Sequence, residues 1–226
     1  MSEWWTYSLS DFLMFSARTY YRLFELYNLA IWPGHLLAAA VALVILACAA
    51  RGGAAAGRIA AVLLAACWLW VAGAFHAQRY ATINAAAPYF AIGFAVQALL
   101  LLWIGAVRGA MAPAPMHGRV QRAAFGVMLF AMLGYPLVTV ASGREWRQLE
   151  LFGVAPDPTA LATLALLAAA RMPPLLLPIP LLWCAVSGAT LWTMHAPDAW
   201  VAPLGALLVL VLWAIRSRVP ATGSKR

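Results

Sequence analysis

Long apolar runs constrain this chain more than any other feature of its sequence. An α-helix needs about 20 residues, or slightly fewer with anchored ends, to cross about 30 Å of hydrocarbon. Six runs meet this length, at residues 31–50, 59–75, 88–107, 123–141, 175–194 and 199–215. A seventh, at residues 158–170, is shorter and is interpreted as a tilted crossing or as half of a broken helix. The pattern predicts an all-α integral membrane protein with a bundle of about seven transmembrane helices.

The composition agrees with this class. Only 10% of the residues are charged and 65% are hydrophobic, whereas a soluble domain carries about 25% charged residues. The net charge is +8, but the basic residues are scattered singly among apolar runs, so we expect contact with membrane lipids and no nucleic-acid partner. Cys48, Cys67 and Cys184 lie inside apolar runs without a CxxC spacing. They are therefore interpreted as packing residues, not as disulfide partners or zinc ligands.

The basic residues fall unequally on the two sides of the predicted bundle. Cytoplasmic segments retain the excess of Lys and Arg, so we expect an extracytoplasmic N-terminus and a cytoplasmic basic tail at residues 217–226, in a bacterial inner membrane. The larger set is Arg51, Arg58, Arg108, Arg119, Arg122, Arg171, Arg216, Arg218, Lys225 and Arg226. The smaller set is Arg18, Arg22, Arg79, Arg144 and Arg147.

All seven acidic residues fall on the side with fewer basic residues. They are Glu3, Asp11, Glu25, Glu145, Glu150, Asp157 and Asp198. This placement leaves no carboxylate within the membrane, where carboxylates often serve as proton carriers. The sequence therefore argues against proton-coupled pumping.

Residues 1–29 precede the first apolar run and have an amphipathic helical pattern. They lack the basic start of a signal peptide and are expected to be retained. The apolar stripe consists of Leu9, Phe12, Leu13, Tyr20, Leu23, Phe24 and Tyr27. Because Trp and Tyr concentrate at membrane surfaces, we expect an interfacial helix on the outer face. Its aromatic belt would consist of Trp4, Trp5, Tyr7, Tyr20, Tyr21, Tyr27 and Trp32.

Three stretches carry a family resemblance: residues 24–33 (FELYNLAIWP), 68–76 (WLWVAGAFH) and 83–88 (INAAAP). Together they resemble an uncharacterised family of bacterial multi-pass membrane proteins, catalogued as a domain of unknown function, over most of the chain. In that family the Ile-Asn pair is often followed by proline, where this chain has Ala85. The resemblance implies a fold and a location, and it implies no activity.

Polar residues group at the outer ends of the predicted helices. Because polar groups are costly at membrane depth, we interpret them as a pocket, open to the outer face, that binds or translocates a small solute. Arg79 would hold an anionic or amide-bearing solute with its planar fork. Alternatively, Arg79 pairs with Glu25 or Glu150 and fixes the N-terminal helix. The candidate binding residues are His35, His76, Gln78, Arg79, Asn84 and His195.

Two other functions stay open. His35, His76 and His195, with Asp198 or Glu25, have the chemistry to ligate a transition metal, and two histidines can ligate haem. That would indicate a redox or assembly protein. An accessory subunit would instead bind a membrane partner, or further copies of itself, through the aromatic N-terminal helix. The GxSxG, Walker A, Rossmann and HExxH signatures are absent, so no catalytic residue is identified and an enzyme is not the favoured interpretation.

Polar and small residues inside the apolar runs indicate how the helices meet. Gln97 either lines a pathway or forms an interhelical hydrogen bond. Residues 187–190 (SGAT) predict a close approach between two helices. Prolines interrupt the start of the sixth run, as in the discontinuous helices of transporters or in a kinked structural helix. These prolines are Pro173, Pro174, Pro178 and Pro180.

Overall fold

The computed structural model describes residues 15–112, 118–170 and 173–218, which form helices joined by short connections, with no β-strand among them. The α-helices are α1 (Ala17–Ile31), α2 (Gly34–Arg51), α3 (Ala54–Trp70), α4 (Ala87–Leu100), α5 (Arg119–Leu129), α6 (Tyr135–Ala141), α7 (Pro156–Ala169), α8 (Pro178–Thr193) and α9 (Val201–Arg218). π-Helical turns follow three of them, at Val71–Ala77, Leu101–Val107 and Phe130–Gly134. Short 3-10 turns lie at Tyr80–Thr82, Trp146–Gln148 and Pro174–Leu176.

Five helical segments are long and apolar enough to cross a membrane. They are Gly34–Arg51, Ala54–Thr82, Ala87–Val107, Arg119–Ala141 and Pro174–Thr193. Large apolar side chains on their surfaces, such as Leu37, Ile92 and Leu182, are exposed, as expected for helices that face lipid. The predicted all-α class is confirmed, and length and composition support five crossings. The predicted count of about seven adds two shorter helices, α7 and the apolar part of α9, Val201–Arg216.

Helix α7 lies in the interior of the bundle. All of its 14 residues are buried, and it packs against α3, α5, α8 and α9. A helix that is apolar all round suits such a position, because no face has to meet water. Trp68 of α3 donates its indole N–H to Oγ1 of Thr163, 2.9 Å away. At the C-terminus of α7, the guanidinium of Arg216 donates to the carbonyl oxygens of Ala168 and Ala169. A helix end leaves such acceptors without partners inside the helix.

Helix α1 begins at Ser16, whose hydroxyl accepts a hydrogen bond from the backbone N–H of Thr19. One face of α1 packs into the bundle, with Tyr20 and Tyr27 among its buried side chains. The Tyr27 hydroxyl donates to the carbonyl oxygen of Val154 at 3.0 Å. The prediction that Tyr20 and Tyr27 belong to an aromatic belt is therefore wrong, because both rings are used inside the protein. The rest of the predicted belt and stripe before residue 15 lies outside the described residues.

Two connections contact α1 at one end of the bundle, residues 78–86 and 142–155, and a third, residues 194–200, contacts the second of them. We call this end of the bundle the α1 end. Asn28 donates from Nδ2 to the carbonyl oxygens of Arg147 and Leu149, each at 2.9 Å. The rings of Tyr20 and Tyr80 lie 5.9 Å apart. Through these contacts α1 packs on the connections at this end of the bundle. It does not lie along the lipid-facing surface of the other helices.

Close helix approach occurs where the sequence predicts it. A side chain added at Gly188 of α8 would collide with Pro203 of α9, which confirms the interpretation of residues 187–190 as packing residues. Cys48, Cys67 and Cys184 are free and buried, as predicted.

The predicted interruption before α8 is present and is confined to residues ahead of Pro178. Pro174–Leu176 forms a 3-10 turn, and α8 then runs unbroken from Pro178 to Thr193. The side chain of Gln97 donates from Nε2 to the carbonyl oxygen of Leu176 at 3.1 Å. Gln97 thus forms an interhelical hydrogen bond, and it satisfies a carbonyl that the prolines free from the helical pattern.

Candidate functional site

A cavity of about 370 Å³ lies at the α1 end, between α1 and the connection that follows α3. Three arginines from these two elements line it: Arg18, Arg22 and Arg79. Arg18 and Arg22 are four residues apart on α1 and therefore share one helix face. The remaining lining residues are polar or aliphatic: Thr19, Leu23, Leu26, Gln78, Thr82 and Ile83.

Only one of the three arginines has a carboxylate partner among the described residues. The Arg22 guanidinium lies 2.5 Å from the Glu25 carboxylate. Arg18 and Arg79 have no acidic side chain within ion-pair distance in the part of the chain that the structure describes. The alternative prediction that Arg79 pairs with Glu25 or Glu150 is wrong, because closer arginines occupy both acids: Arg22 and Arg144.

The predicted binding residues do not form a single pocket. Gln78 and Arg79 line the arginine cavity. Asn84 instead accepts a hydrogen bond from the backbone N–H of Ala86 at 2.9 Å, in the turn that leads into α4. His35 lies on the other side of α1, where it shares a hydrogen bond of 3.2 Å with Asn28 and lines a mainly apolar cavity with Trp32 and Trp146.

The three predicted metal-binding histidines are also separated. His76 is fully buried among aromatic rings, with centroids of Phe94 at 4.5 Å and Trp183 at 4.8 Å. Neither of its ring nitrogens has a hydrogen-bond partner among the described residues. His195 is exposed and has a positive φ of 55° where α8 ends. In the described ranges, no three His, Cys, Asp or Glu residues are grouped as metal ligands.

A second polar group lies deeper, where connections 142–155 and 194–200 meet. Nη1 of Arg144 donates to Glu150 at 2.7 Å and to Asp198 at 3.4 Å. Its guanidinium also faces the rings of Tyr21 and Phe24 of α1, at 4.5 and 5.4 Å from their centroids. We call Arg144, Glu150 and Asp198 the buried ion triad, since no side chain in it is more than 8% exposed.

Burial and unequal charge shift the proton affinities in the buried ion triad. Burial raises the pKa of Glu150 to about 7, with Asp157 and Asp198 adding to the rise and Arg144 opposing it. Burial also works against the charge on Arg144, but Glu150 and Asp198 outweigh it and hold the pKa of the guanidinium above its ordinary value. At Glu150 burial outweighs the single shared arginine, whereas at Arg144 the neighbouring carboxylates outweigh burial.

The first turn of α7 places Asp157 inside the bundle, where it is 1% exposed. Its Oδ1 accepts the indole N–H of Trp183 at 2.7 Å. Its Oδ2 accepts the hydroxyls of Ser187 at 2.5 Å and Tyr135 at 3.1 Å. The sequence places Asp157 with the other acidic residues outside the membrane and does not predict that protein encloses its side chain. The side chain is enclosed because α7 is short and central, so that its first turn is covered by α6 and α8.

Sequence reasoning identified Gln78 and Arg79 but overlooked Arg18, Arg22 and Asp157. The spacing of Arg18 and Arg22 was the available signal for the first two, since residues four apart share a helix face. For Asp157 the signal was its position between two prolines at a helix start, which marks a first turn but not its burial.

Comparison with known proteins gives a family and no activity. A family model described as a family of unknown function matches residues 17–224. This confirms the resemblance to an uncharacterised family that the three sequence stretches indicated. No curated protein and no solved structure matches the chain.

Proposed function

The chain belongs to DUF6064, a family of unknown function, and we propose that it is a membrane protein that binds and translocates a small anionic solute. The proposal rests on one observation, the convergence of Arg18, Arg22 and Arg79 on a single cavity. Like charges that share a cavity repel one another, and an anion between them removes that repulsion.

The charges around the cavity favour an anion over a neutral solute. Glu25 offsets Arg22, and among the residues that the structure describes no carboxylate balances the guanidinium groups of Arg18 and Arg79. A guanidinium presents a planar fork of donors that matches the two oxygens of a carboxylate or the oxygens of a phosphate or sulfate. The amide of Gln78 supplies a further donor and acceptor, and Leu26 and Ile83 offer contact for a short carbon chain.

The topology that accompanies this function has seven crossings. We count the five long segments together with α7 and Val201–Arg216. At 1.5 Å per residue α7 is only about 21 Å long, but protein surrounds it and it need not match the lipid thickness. An odd number of crossings puts the termini on opposite sides, and the excess of basic residues assigns the α9 end to the cytoplasm. The arginine cavity then opens outside a bacterial inner membrane, with α1 at the interface.

Binding is tested on the purified full-length protein in detergent, with sulfate, phosphate, acetate and succinate as probes at low ionic strength. A ligand that binds only the folded state raises the thermal midpoint. We expect at least one probe to raise it in the wild type, and we expect the shift to be lost in Arg79→Gln and Arg18→Gln. Arg147→Gln is the matched control, since Arg147 is an exposed arginine at the α1 end outside the cavity.

The proposal is overturned if no probe shifts the wild type, or if the shift survives both cavity variants. Translocation has its own measurement, which is uptake of the radiolabelled binding probe into proteoliposomes. Binding without uptake would leave a binding protein and remove the transport part of the proposal.

A further inference from the structure

We propose that Asp157 is a proton-binding site whose proton exchanges with the solution through the buried ion triad at the α1 end. The site lies in the interior of the bundle, apart from the arginine cavity, and its ligand is a hydrogen ion. As the coupling ion for solute movement, this proton would drive the translocation proposed above, and that role alone rests on the proposed function.

The charge balance around Asp157 favours a bound proton. No arginine or histidine lies within ion-pair distance of Asp157 among the described residues. Arg144 is already bonded to Glu150 and Asp198. An ionised carboxylate without a nearby cation is unfavourable in a protein interior, and such groups generally take up a proton.

Six titratable groups from several elements interact with Asp157, and all six are acids. The interacting groups are Tyr20, Tyr80, Tyr135, Glu150, Cys184 and Asp198. These groups are neutral when protonated and negative when deprotonated, so none of them replaces the missing cation.

The hydrogen bonds of Asp157 suit both protonation states. Trp183 is a donor only, and it fixes Oδ1 as an acceptor. Ser187 and Tyr135, which face Oδ2, carry hydroxyls that either donate or accept. With the carboxylate ionised, both hydroxyls donate to Oδ2; with a proton on Oδ2, the carboxyl donates to Ser187. The site can therefore gain and lose a proton without any heavy atom leaving its position.

The buried ion triad has acceptors free to receive that proton. Oε2 of Glu150 and Oδ1 of Asp198 have no hydrogen-bond partner among the described residues. Both carboxylates are held by the same nitrogen of Arg144, so they are close neighbours. Asp198 is the most exposed member, at 8%. Glu150 and Asp198 interact electrostatically with Asp157, and we infer that the triad is the polar route from the interior carboxyl toward water.

Helix α1 connects this region with the arginine cavity. Its Tyr21 and Phe24 rings face the guanidinium of Arg144, while its Arg18 and Arg22 line the cavity. An anion that shifts α1 would move the Tyr21 and Phe24 rings relative to the Arg144 guanidinium. Because Arg144 is bonded to Glu150 and Asp198, this movement would also change the path of the proton. This contact is the physical basis for coupling the two sites.

Infrared spectroscopy of the full-length protein without any added anion tests the proton site. A protonated carboxyl group gives a C=O stretching band that an ionised one lacks, and labelling all aspartates with ¹³C shifts it. We expect the wild type to show an Asp-derived band at neutral pH that moves when H₂O is exchanged for D₂O. We expect the band to be lost in Asp157→Asn and retained in Asp198→Asn and in Glu145→Gln, an exposed acid in the same connection as Glu150.

A wild-type spectrum without an Asp-derived band overturns the proposal, and so does a band that survives Asp157→Asn. The wild-type labelling result stands even if a variant fails to fold. A band that never moves in D₂O shows a trapped structural proton and also overturns it. Slower D₂O exchange in Glu150→Gln is expected, since the triad is the proposed path, and unchanged exchange removes the triad from it.

The coupling is measured separately, as sulfate uptake into proteoliposomes with and without a pH gradient. Sulfate stays fully ionised across neutral pH, so its own charge does not change. We expect the gradient to accelerate uptake in the wild type and to have no effect in Asp157→Asn, which should still bind sulfate. Absence of binding for all four probes in the wild type would count against the arginine cavity, whereas a missing infrared band would count against Asp157.

Discussion

The guanidinium of Arg144 lies 2.7 Å from the carboxylate of Glu150, and each side chain is only 3% exposed. Such a pair contributes little net stability as long as it is intact, because the energy gained by pairing is spent largely on removing two charges from water. Its importance appears when one partner is removed. The other charge is then left in the protein interior without compensation.

Replacing Arg144 with leucine should therefore destabilise the protein strongly. Loss of one partner of a buried ion pair costs about 3–5 kcal/mol, and here two carboxylates lose their shared donor. The free energy of unfolding, measured by SDS titration in mixed micelles, should fall by that amount. Arg147→Leu is the control, because Arg147 is exposed in the same connection, and it should change stability by less than about 1 kcal/mol. Equal effects of the two substitutions would contradict this account.

The raised pKa of Glu150 makes stability depend on pH. The carboxyl has an ordinary pKa of 4.5 and a pKa of about 7 in the folded protein. Between these values the folded state binds more protons at Glu150 than the unfolded state does, so the contribution of Glu150 to stability falls as pH rises from about 4.5 to about 7 and then levels off. Unfolding titrations across this range should show the fall in the wild type and in Glu145→Gln, and a flatter profile in Glu150→Gln. A wild type whose stability rises over that window would rule out the burial effect.

The helical class of this fold was predictable because lipid imposes a length and a composition on each crossing. Gly34–Arg51 and Ala87–Val107 lie close to two of the predicted runs for that reason. The arrangement of the helices was not predictable. Apolar side chains look alike whether they face lipid or another helix, so the sequence did not distinguish the buried α7 from the lipid-exposed α2.

The sequence identified residues of the candidate site only where a polar side chain in a connection also points into the cavity. Arg79 stood out as the only strong cation of its connection, and it does line a cavity. His76 stood out equally, yet it lies among aromatic rings, because a helix end fixes the depth of a residue but not the direction of its side chain. Asp157 was assigned to a loop at the membrane surface, since chain order shows no neighbours from α6 and α8.

The hydroxyl groups of Tyr135 and Ser187, which donate hydrogen bonds to Asp157, should stabilise the packing of α6 and α8 against α7. Ser187→Ala and Tyr135→Phe each remove one hydrogen bond from a buried carboxyl group, with an expected cost of about 1–3 kcal/mol. The two effects should not add, because both hydroxyls share Oδ2. Thr193→Ala on α8 is the control, since the Thr193 hydroxyl donates to the carbonyl of Ala189 in its own helix and not to another helix. A double variant whose loss equals the sum of the single losses would show that the two hydroxyls act independently.

The contact between Gly188 of α8 and Pro203 of α9 gives a steric prediction. A Cβ atom added at Gly188 would collide with the proline ring and lie 3.2 Å from the carbonyl oxygen of Ala199, so Gly188→Leu should force α8 and α9 apart. Overpacking of this kind costs about 1–3 kcal/mol, and SDS titration should detect the loss. Gly126→Leu on α5 is the matched control, because Gly126 is exposed and nothing lies within 4 Å of a Cβ atom added there. Gly126→Leu should leave stability unchanged or raise it slightly, since leucine favours a helix over glycine. If Gly188→Leu were tolerated as well as Gly126→Leu, α8 and α9 could not be packed as closely as the structure places them.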